Sequence, residues 1–383
     1  QALPAAHGPS DEGSSLPPLA LPPPGCAKRA RRRFLHEARG RFDGALQRLL
    51  AGLSAGPLAE IASPEAHRAL SQRLTAALVD GHHVQFEEAA ELAGYTLGRL
   101  KPRCGHLFDC LVAEESRDAL QLLLAKAATL QRLRVTSLGG GPAFDAVAFL
   151  ALLEALTGQV STAAVECKVL DLAPAWADSV SLVSDEAARA WAPRQRADDV
   201  AFLAPVDICA GAGSAGEAAI ADAVSSSDVV VASYVLYENE ADLRSGGRLG
   251  GALPAVFRAA GPATVLVFLD ATHRLWPSLV ATAADTVPFT EGDVADGFDL
   301  ILPQRRTAHD HAVVFVRRPW SGSGASQPCT AEAAEASGGL FEVCAGHQQA
   351  HEERLLRQSK PQRGCEHAEA ERREASAAAG CEV

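Results

Sequence analysis

Val135-Thr136-Ser137-Leu138-Gly139-Gly140-Gly141-Pro142-Ala143-Phe144-Asp145 reads as the end of a β-strand, a turn of consecutive glycines and the opening of a helix. The strand is Arg134 to Leu138, and the helix continues through the apolar run Ala146 to Leu156. Glycines at such a turn let the backbone approach a ligand with no side chain between, while the helix beyond offers free N–H groups at its positive end. The same turn also serves plain close packing, so its neighbours decide its reading.

Downstream, short β-branched or apolar runs alternate with longer helical stretches, the pattern of an open α/β sheet. The predicted strands after the first are Ala164 to Leu170, Val200 to Leu203, Asp228 to Ala232, Thr264 to Leu269, Phe298 to Leu302 and Ala312 to Val316. Together these seven predict a Rossmann-like doubly wound sheet, closed by an antiparallel pair. Upstream the period is helical. Phe42, Leu46, Leu49, Leu50 and Leu53 form one stripe, Phe86 to Leu100 another and Ser116 to Leu133 a third. Ser63-Pro64-Glu65 is a helix start, with a cap, a first-turn proline and an acid at the positive end.

The expected organisation is therefore a Pro-rich and basic leader over residues 1–33, disordered and ending in Lys28-Arg29-Ala30-Arg31-Arg32-Arg33. An α-helical segment over 34–133, the sheet domain over 134–320 and a mostly disordered tail over 321–383 follow, the tail carrying a helical stretch near His351 to Gln358. The basic run reads as a solvated lead into a helix, with a nuclear address or a phosphate contact as alternatives. The chain has 383 residues, 48% of them apolar, and no run of about 20 apolar residues that would span a membrane. Its net charge of −12 argues against a protein that coats nucleic-acid phosphates. The nine cysteines include no Cys-x-x-Cys pair, and Cys104, His106 and Cys110 lack a second ligand pair, so no metal is expected and reduced thiols fit an intracellular, cytoplasmic setting. Nuclear and organellar locations stay open. The chain opens on Gln1 and lacks methionine, so a targeting peptide ahead of it is left open too.

Two carboxylates accompany the glycine turn. The second strand ends in Val169-Leu170-Asp171-Leu172, where an acid accepts the two hydroxyls of a ribose. After the third come Pro205-Val206-Asp207-Ile208-Cys209, an acid beside an apolar residue, a pair that suits an adenine amino group and ring. Either acid alone is an ordinary loop residue or helix cap. Features at three successive strand ends point to a nucleoside. The dinucleotide fingerprint is broken by Phe144 at its sixth place, which disfavours a nucleotide-dependent oxidoreductase, and no phosphate-cradling G-x-x-x-x-G-K-[ST] loop is present.

From roughly Val135 to Val316 the arrangement resembles the class I S-adenosylmethionine-dependent methyltransferases. Asp228-Val229-Val230-Val231-Ala232-Ser233-Tyr234-Val235-Leu236 is similar to the D-x-V-x-x-S-x-V-L segment of that superfamily, and its ASYVL resembles methyltransferase-like proteins associated with the mitochondrial small ribosomal subunit. The metal-binding cysteine cluster of those proteins has no convincing counterpart in this sequence. The resemblance implies S-adenosylmethionine as cofactor. Gly139, Gly140, Gly141 and Pro142 would admit its methionine part, Asp171 and Leu172 its ribose, Asp207 and Ile208 its adenine, and Ser233 and Tyr234 would face the methyl group. Ser137 stands where the family usually has an acid and Ala143 where it has a third glycine. Ser137 keeps a hydrogen bond to the ligand's amino group and loses the charge.

Methyl transfer is an in-line displacement that needs two reactants held in place, with a base where the acceptor must lose its proton early. The base candidates are Glu238 after the fourth strand and His273 in Leu269-Asp270-Ala271-Thr272-His273-Arg274 after the fifth, a string that also reads as a helix start with a surface histidine. Tyr234 and Tyr237 are candidates for an aromatic wall, and Trp276 for the core. Tyr95 to Arg103 would lie over the cofactor edge as a lid, where Arg99, Lys101, Arg103 and Arg132 are cations able to meet a phosphate or simply to solvate a helix end. The function expected is methyl transfer to an unknown acceptor, a small molecule, protein or RNA. The alternative is an inactive methyltransferase-like binding or ribosome-assembly factor.

Overall fold

Strand β1 (Arg132–Leu138) is an interior strand of a sheet whose other strands are β2 (Ala164–Leu170), β3 (Val200–Leu203), β4 (Val229–Ser233), β5 (Val265–Asp270), β6 (Phe298–Ile301), β7 (His311–Arg317) and β8 (Gln327–Pro328). The computed structural model describes residues 17–80, 86, 88–158, 163–245, 248–288, 296–303, 311–319 and 327–330. The sheet order is β8-β6-β7-β5-β4-β1-β2-β3. Strands β1 to β5 run parallel, while β7 is antiparallel to both β5 and β6. The seven predicted strands and the antiparallel closure are all present. The eighth, two residues long, pairs with β6. The order reverses between β1 and β4, and in open α/β sheets that reversal opens a crevice at the carboxyl edge.

The helices are α1 (Lys28–Ala55), α2 (Pro57–Ile61), α3 (Pro64–Asp80), α4 (Ala89–Leu111), α5 (Arg117–Leu130), α6 (Phe144–Thr157), α7 (Ala177–Ala190), α8 (Ala215–Ser225), α9 (Val235–Glu238), α10 (Glu240–Leu243), α11 (Leu253–Ala259) and α12 (Trp276–Thr286). The Ser63 hydroxyl accepts the Ala66 N–H, the cap its sequence predicts. Alternate strand residues separate into two apolar layers. Val135, Val165, Val169, Val229, Val231, Val265 and Val267 join α1, α4, α6 and α7 in one hydrophobic cluster. Phe268, Phe298 and Phe315 are buried outside that cluster and meet Phe257 of α11 at ring separations between 5.4 and 5.9 Å. Strands buried on both faces read as continuous apolar runs, which is why Val229-Val230-Val231-Ala232 shows no alternation.

Helix α6 is apolar all round, with only Glu154 and Thr157 short of full burial. Such a helix needs cover on its outer side, and α1 and α4 supply it. The helical segment before β1 thus shares one hydrophobic cluster with α6, α7 and the sheet.

Several boundaries differ from expectation. The basic run from Lys28 lies inside α1, held where Arg31 pairs with Glu114 and donates to the Val112 carbonyl. Ahead of it, Leu19 donates its N–H to the Leu156 carbonyl and packs with Leu21 on the cluster, so this part of the leader is ordered by apolar contact. Residues 101–111, expected beyond the second stripe, continue α4 through Pro102, because Cys104, Leu107, Phe108 and Leu111 bury their side chains there. In the expected tail, Gln327 and Pro328 pair with β6 and Cys329 is buried. The rest of the tail, with the stretch near His351, and residues 1–16 of the leader lie outside the described residues. Among the described residues no helix is long and apolar enough to cross a membrane.

At the start of β4, Asp228 is 1% exposed and takes a bidentate grip from the Arg134 guanidinium, a third bond from the Arg134 N–H, and Lys126 at 3.4 Å. Burial alone would push this carboxyl up, but the bonds from Arg134 and the charge of Lys126 outweigh it and hold it below the usual carboxylate range. A carboxyl lowered on folding stabilises above its unfolded value, about pH 4, and loses that contribution as the pH falls through its folded value. In urea unfolding, Asp228→Asn should cost about 1–2 kcal/mol at neutral pH, and its gap to the parent should close in acid.

Candidate functional site

At the carboxyl ends of β1, β2 and β4 an open cleft is lined by the glycine turn, both predicted acids and the segment after β4. The turn is left-handed at alternate residues, with φ +60° at Gly139, +47° at Gly141 and +64° at Ala143. Only glycine adopts that region without strain. Ala143 adopts it as the residue capping α6, in the place where the resemblance calls for glycine. A Cβ on Gly139 would stand 2.6 Å from a Val235 methyl, so β4's continuation closes tightly on the turn.

Asp171, 9% exposed, accepts the Gly141 N–H at 3.0 Å through one oxygen and the Ala173 N–H at 2.9 Å through the other. Both of its oxygens thus hold the turn and the following loop in place beside the cleft. The Asp171 carbonyl accepts the Val206 N–H, which ties the loop after β2 to the loop after β3. There Asp207 accepts the Cys209 N–H at 2.8 Å and shares the cleft with Ile208, while Leu172 projects an exposed apolar side chain at the same edge. Gly139, Gly140, Gly141, Pro142, Asp171, Leu172, Asp207, Ile208, Ser233, Tyr234 and Glu238 all line this one cleft.

Ser137 does not line it. It is fully buried and donates to Asp145 at 2.5 Å. Asp145, from the first turn of α6, lines the cleft and accepts a second bond from Ser233 at 3.2 Å. Burial raises its pKa, against the two serine bonds and the charge of Arg103, which act to lower it. An acid is thus present at the turn, supplied by the helix instead of the strand. Asp145 is not among the residues expected at the site, and the signal that marks it is its place two residues beyond the left-handed Ala143.

Tyr234 follows β4 with φ +64°, strained for a bulky side chain. Two residues of α4 fix its ring: the hydroxyl and His106 Nδ1 share a 2.7 Å hydrogen bond, and the Arg103 guanidinium sits 3.2 Å from the ring centroid. Of the four cations expected near the lid, Arg103 alone enters the cleft. Lys101 approaches Asp43, Arg132 pairs with Glu166, and Arg99 is absent from the lining. Phe86, Tyr95, Trp176 and Phe144 complete an aromatic side, with Tyr95 stacked on Phe144 at 6.0 Å. Nothing in the local sequence distinguishes these rings from core residues.

Glu238 is pushed up to about 7, first by burial and then by the charge of Asp171, with Arg103 opposing. Asp270, at the end of β5, also reaches about 7 through burial and the charge of Glu238, although it accepts N–H bonds from Tyr237 and Ala271. His273 is not brought to the cleft. It is 3% exposed and packs 4.8 Å from the His311 ring, so it is neither a surface residue nor a neighbour of the glycine turn. Tyr237 lies under Arg274 and outside the lining, and Trp276 is core as expected. Cys104 donates to the Phe144 carbonyl, and Cys110 is buried further along α4. Among the described residues no cluster of metal-ligating side chains occurs.

No protein-family model matches the sequence, and no curated protein is similar to it. Similar solved structures include the N-methyltransferase NodS from Bradyrhizobium japonicum WM9 in complex with S-adenosylhomocysteine (15% identity, 58% of this chain and 98% of that one, TM-score 0.30). Others are precorrin-6y C5,15-methyltransferase from Geobacter metallireducens GS-15 (15%, 54% and 89%, 0.29) and a probable spermidine synthase from Corynebacterium glutamicum ATCC 13032 (13%, 60% and 69%, 0.34). Similarity at this level leaves the chemistry to be read from the cleft itself.

The left-handed Ala143 generates a prediction. Ala143→Gly should raise the unfolding free energy by about 0.5–1 kcal/mol in urea titration, since relief of strain exceeds the added freedom of the unfolded chain. A loss of stability would show that its buried methyl outweighs the strain.

Proposed function

We propose that this protein binds S-adenosylmethionine in the cleft and transfers its methyl group to an acceptor held near Tyr234. The observation that carries the reading is the convergence of a side-chain-free turn, two carboxylates on adjoining loops and a third carboxylate, Asp145, on one opening at the point where strand order reverses.

The residues present fit the group. Asp171 sets a carboxylate at the end of β2 where the ribose hydroxyls would lie, and Asp207 with Ile208 and Leu172 offers an acceptor beside apolar surface for the adenine. The glycine turn accommodates the amino-acid end, and Asp145 carries the negative charge that Ser137 lacks for its ammonium. When bound, S-adenosylmethionine supplies a methyl group on a sulfonium, which an acceptor nitrogen, oxygen or carbon displaces to leave a neutral thioether. This chain's residues position the reactants. Tyr234 is immobilised by His106 and Arg103 and walls the acceptor side. Glu238 takes the acceptor's proton when deprotonated. A second reading, ligand binding without transfer by a binding or ribosome-assembly factor, is favoured by one observation: both oxygens of Asp145 are already engaged by serines.

Thermal unfolding with S-adenosylmethionine, S-adenosylhomocysteine and NAD tests the ligand, because a binder of the folded state raises the melting point. The first two should raise it and NAD should not, and Asp171→Asn should weaken S-adenosylhomocysteine about tenfold or more. Radiolabelled methyl transfer into a cell extract separates enzyme from binding factor. Transfer should rise with pH through about 7 as Glu238 loses its proton, and Glu238→Gln should remove that rise. Binding without label in any fraction would favour the second reading.

A further inference from the structure

We propose that Arg103 is a carboxylate-binding residue, its buried and unpartnered edge taking the acidic end of a ligand lying between the glycine turn and Tyr234. The inference rests on the reading of the cleft given above and adds a ligand-recognition residue to it.

Arg103 is the cation of α4 that reaches the cleft. Its Nη2 donates to the Tyr95 hydroxyl at 3.2 Å, and Nη1 is buried with no partner. Among the described residues no carboxylate lies within ion-pair distance of it, so its charge is met by a phenol, a ring face and the more distant carboxyls of Glu238, Asp145 and Asp270. A guanidinium so enclosed costs free energy unless something pairs with it. The Tyr234 ring beneath it and the Tyr95 bond fix its plane, and a planar fork with a free edge matches a carboxylate. Two molecules of the proposed reaction can bring one: the amino-acid end of the cofactor, or an acidic acceptor.

Calorimetric titration of the full chain distinguishes them. S-adenosylhomocysteine carries the amino-acid end, and 5′-methylthioadenosine has the same nucleoside and sulfur without it. If the cofactor is the source, Arg103→Gln weakens S-adenosylhomocysteine about ten- to hundredfold and leaves 5′-methylthioadenosine within about twofold of the parent. Arg103→Lys, which keeps the charge without the fork, recovers part of the loss. If the acceptor is the source, phenylacetate binds the chain saturated with S-adenosylhomocysteine in preference to phenylacetamide, and Arg103→Gln abolishes the preference. Either pattern supports the proposal. Variants that keep the parent's circular dichroism and bind S-adenosylhomocysteine and phenylacetate as the parent does would overturn it. Should neither nucleoside bind the parent, the cofactor reading fails by itself. Phenylacetate titrated into the chain alone then decides for Arg103, a preference lost in Arg103→Gln supporting it and no preference overturning it.

Discussion

A single buried carboxylate connects the parts on which the cleft depends. Asp145 opens α6, accepts a hydrogen bond from Ser137 in β1 and accepts another from Ser233 at the end of β4. These two strands are neighbours where the sheet order reverses. Drawing their ends to one acid fixes the width of the crevice there. The left-handed turn from Gly139 to Ala143 is what allows α6 to begin close enough for its first-turn acid to reach both serines. Burial makes the arrangement costly to leave half-satisfied, so loss of either hydroxyl would act on the cleft as well as on stability.

The helical segment before the sheet belongs to the same physical problem. Helix α6 is apolar on its outer side, and α1 and α4 cover it. That cover brings α4 across the open edge, where Arg103 and His106 hold the strained Tyr234 from above. A packing requirement at the back of α6 therefore supplies residues at the mouth of the cleft. The acid–base character there follows from the same enclosure. Glu238 and Asp270 are both pushed to about 7 by burial, with the charge of Asp171 adding to the shift of Glu238, the charge of Glu238 adding to that of Asp270, and Arg103 opposing in both cases.

Much of the fold was legible in the chain because each strand is short, apolar and bounded by turn residues, and the predicted strand limits fall within about two residues of the observed ones. The errors arose where local preference met distant packing. The second stripe reads as ending at Leu100, yet α4 continues through Pro102 to Leu111 because the residues beyond are buried against other elements. Gln327-Pro328 reads as tail, yet β6 has an edge that pairs with it. His273 reads as a surface residue or a base, yet the chain after β5 folds it inward against His311.

By itself, the sequence determined the alternation of strand and helix, the glycine turn and the two acids at the strand ends, since periodicity and turn chemistry act over a few residues. Only the tertiary structure decided that Asp145 supplies the acid absent at Ser137, that Arg103 alone among the nearby cations turns inward, and that Tyr234 is held by α4. Those pairings join residues 8, 88 and 128 positions apart in the chain, and no local pattern encodes which of many buried polar groups will meet once the core has closed.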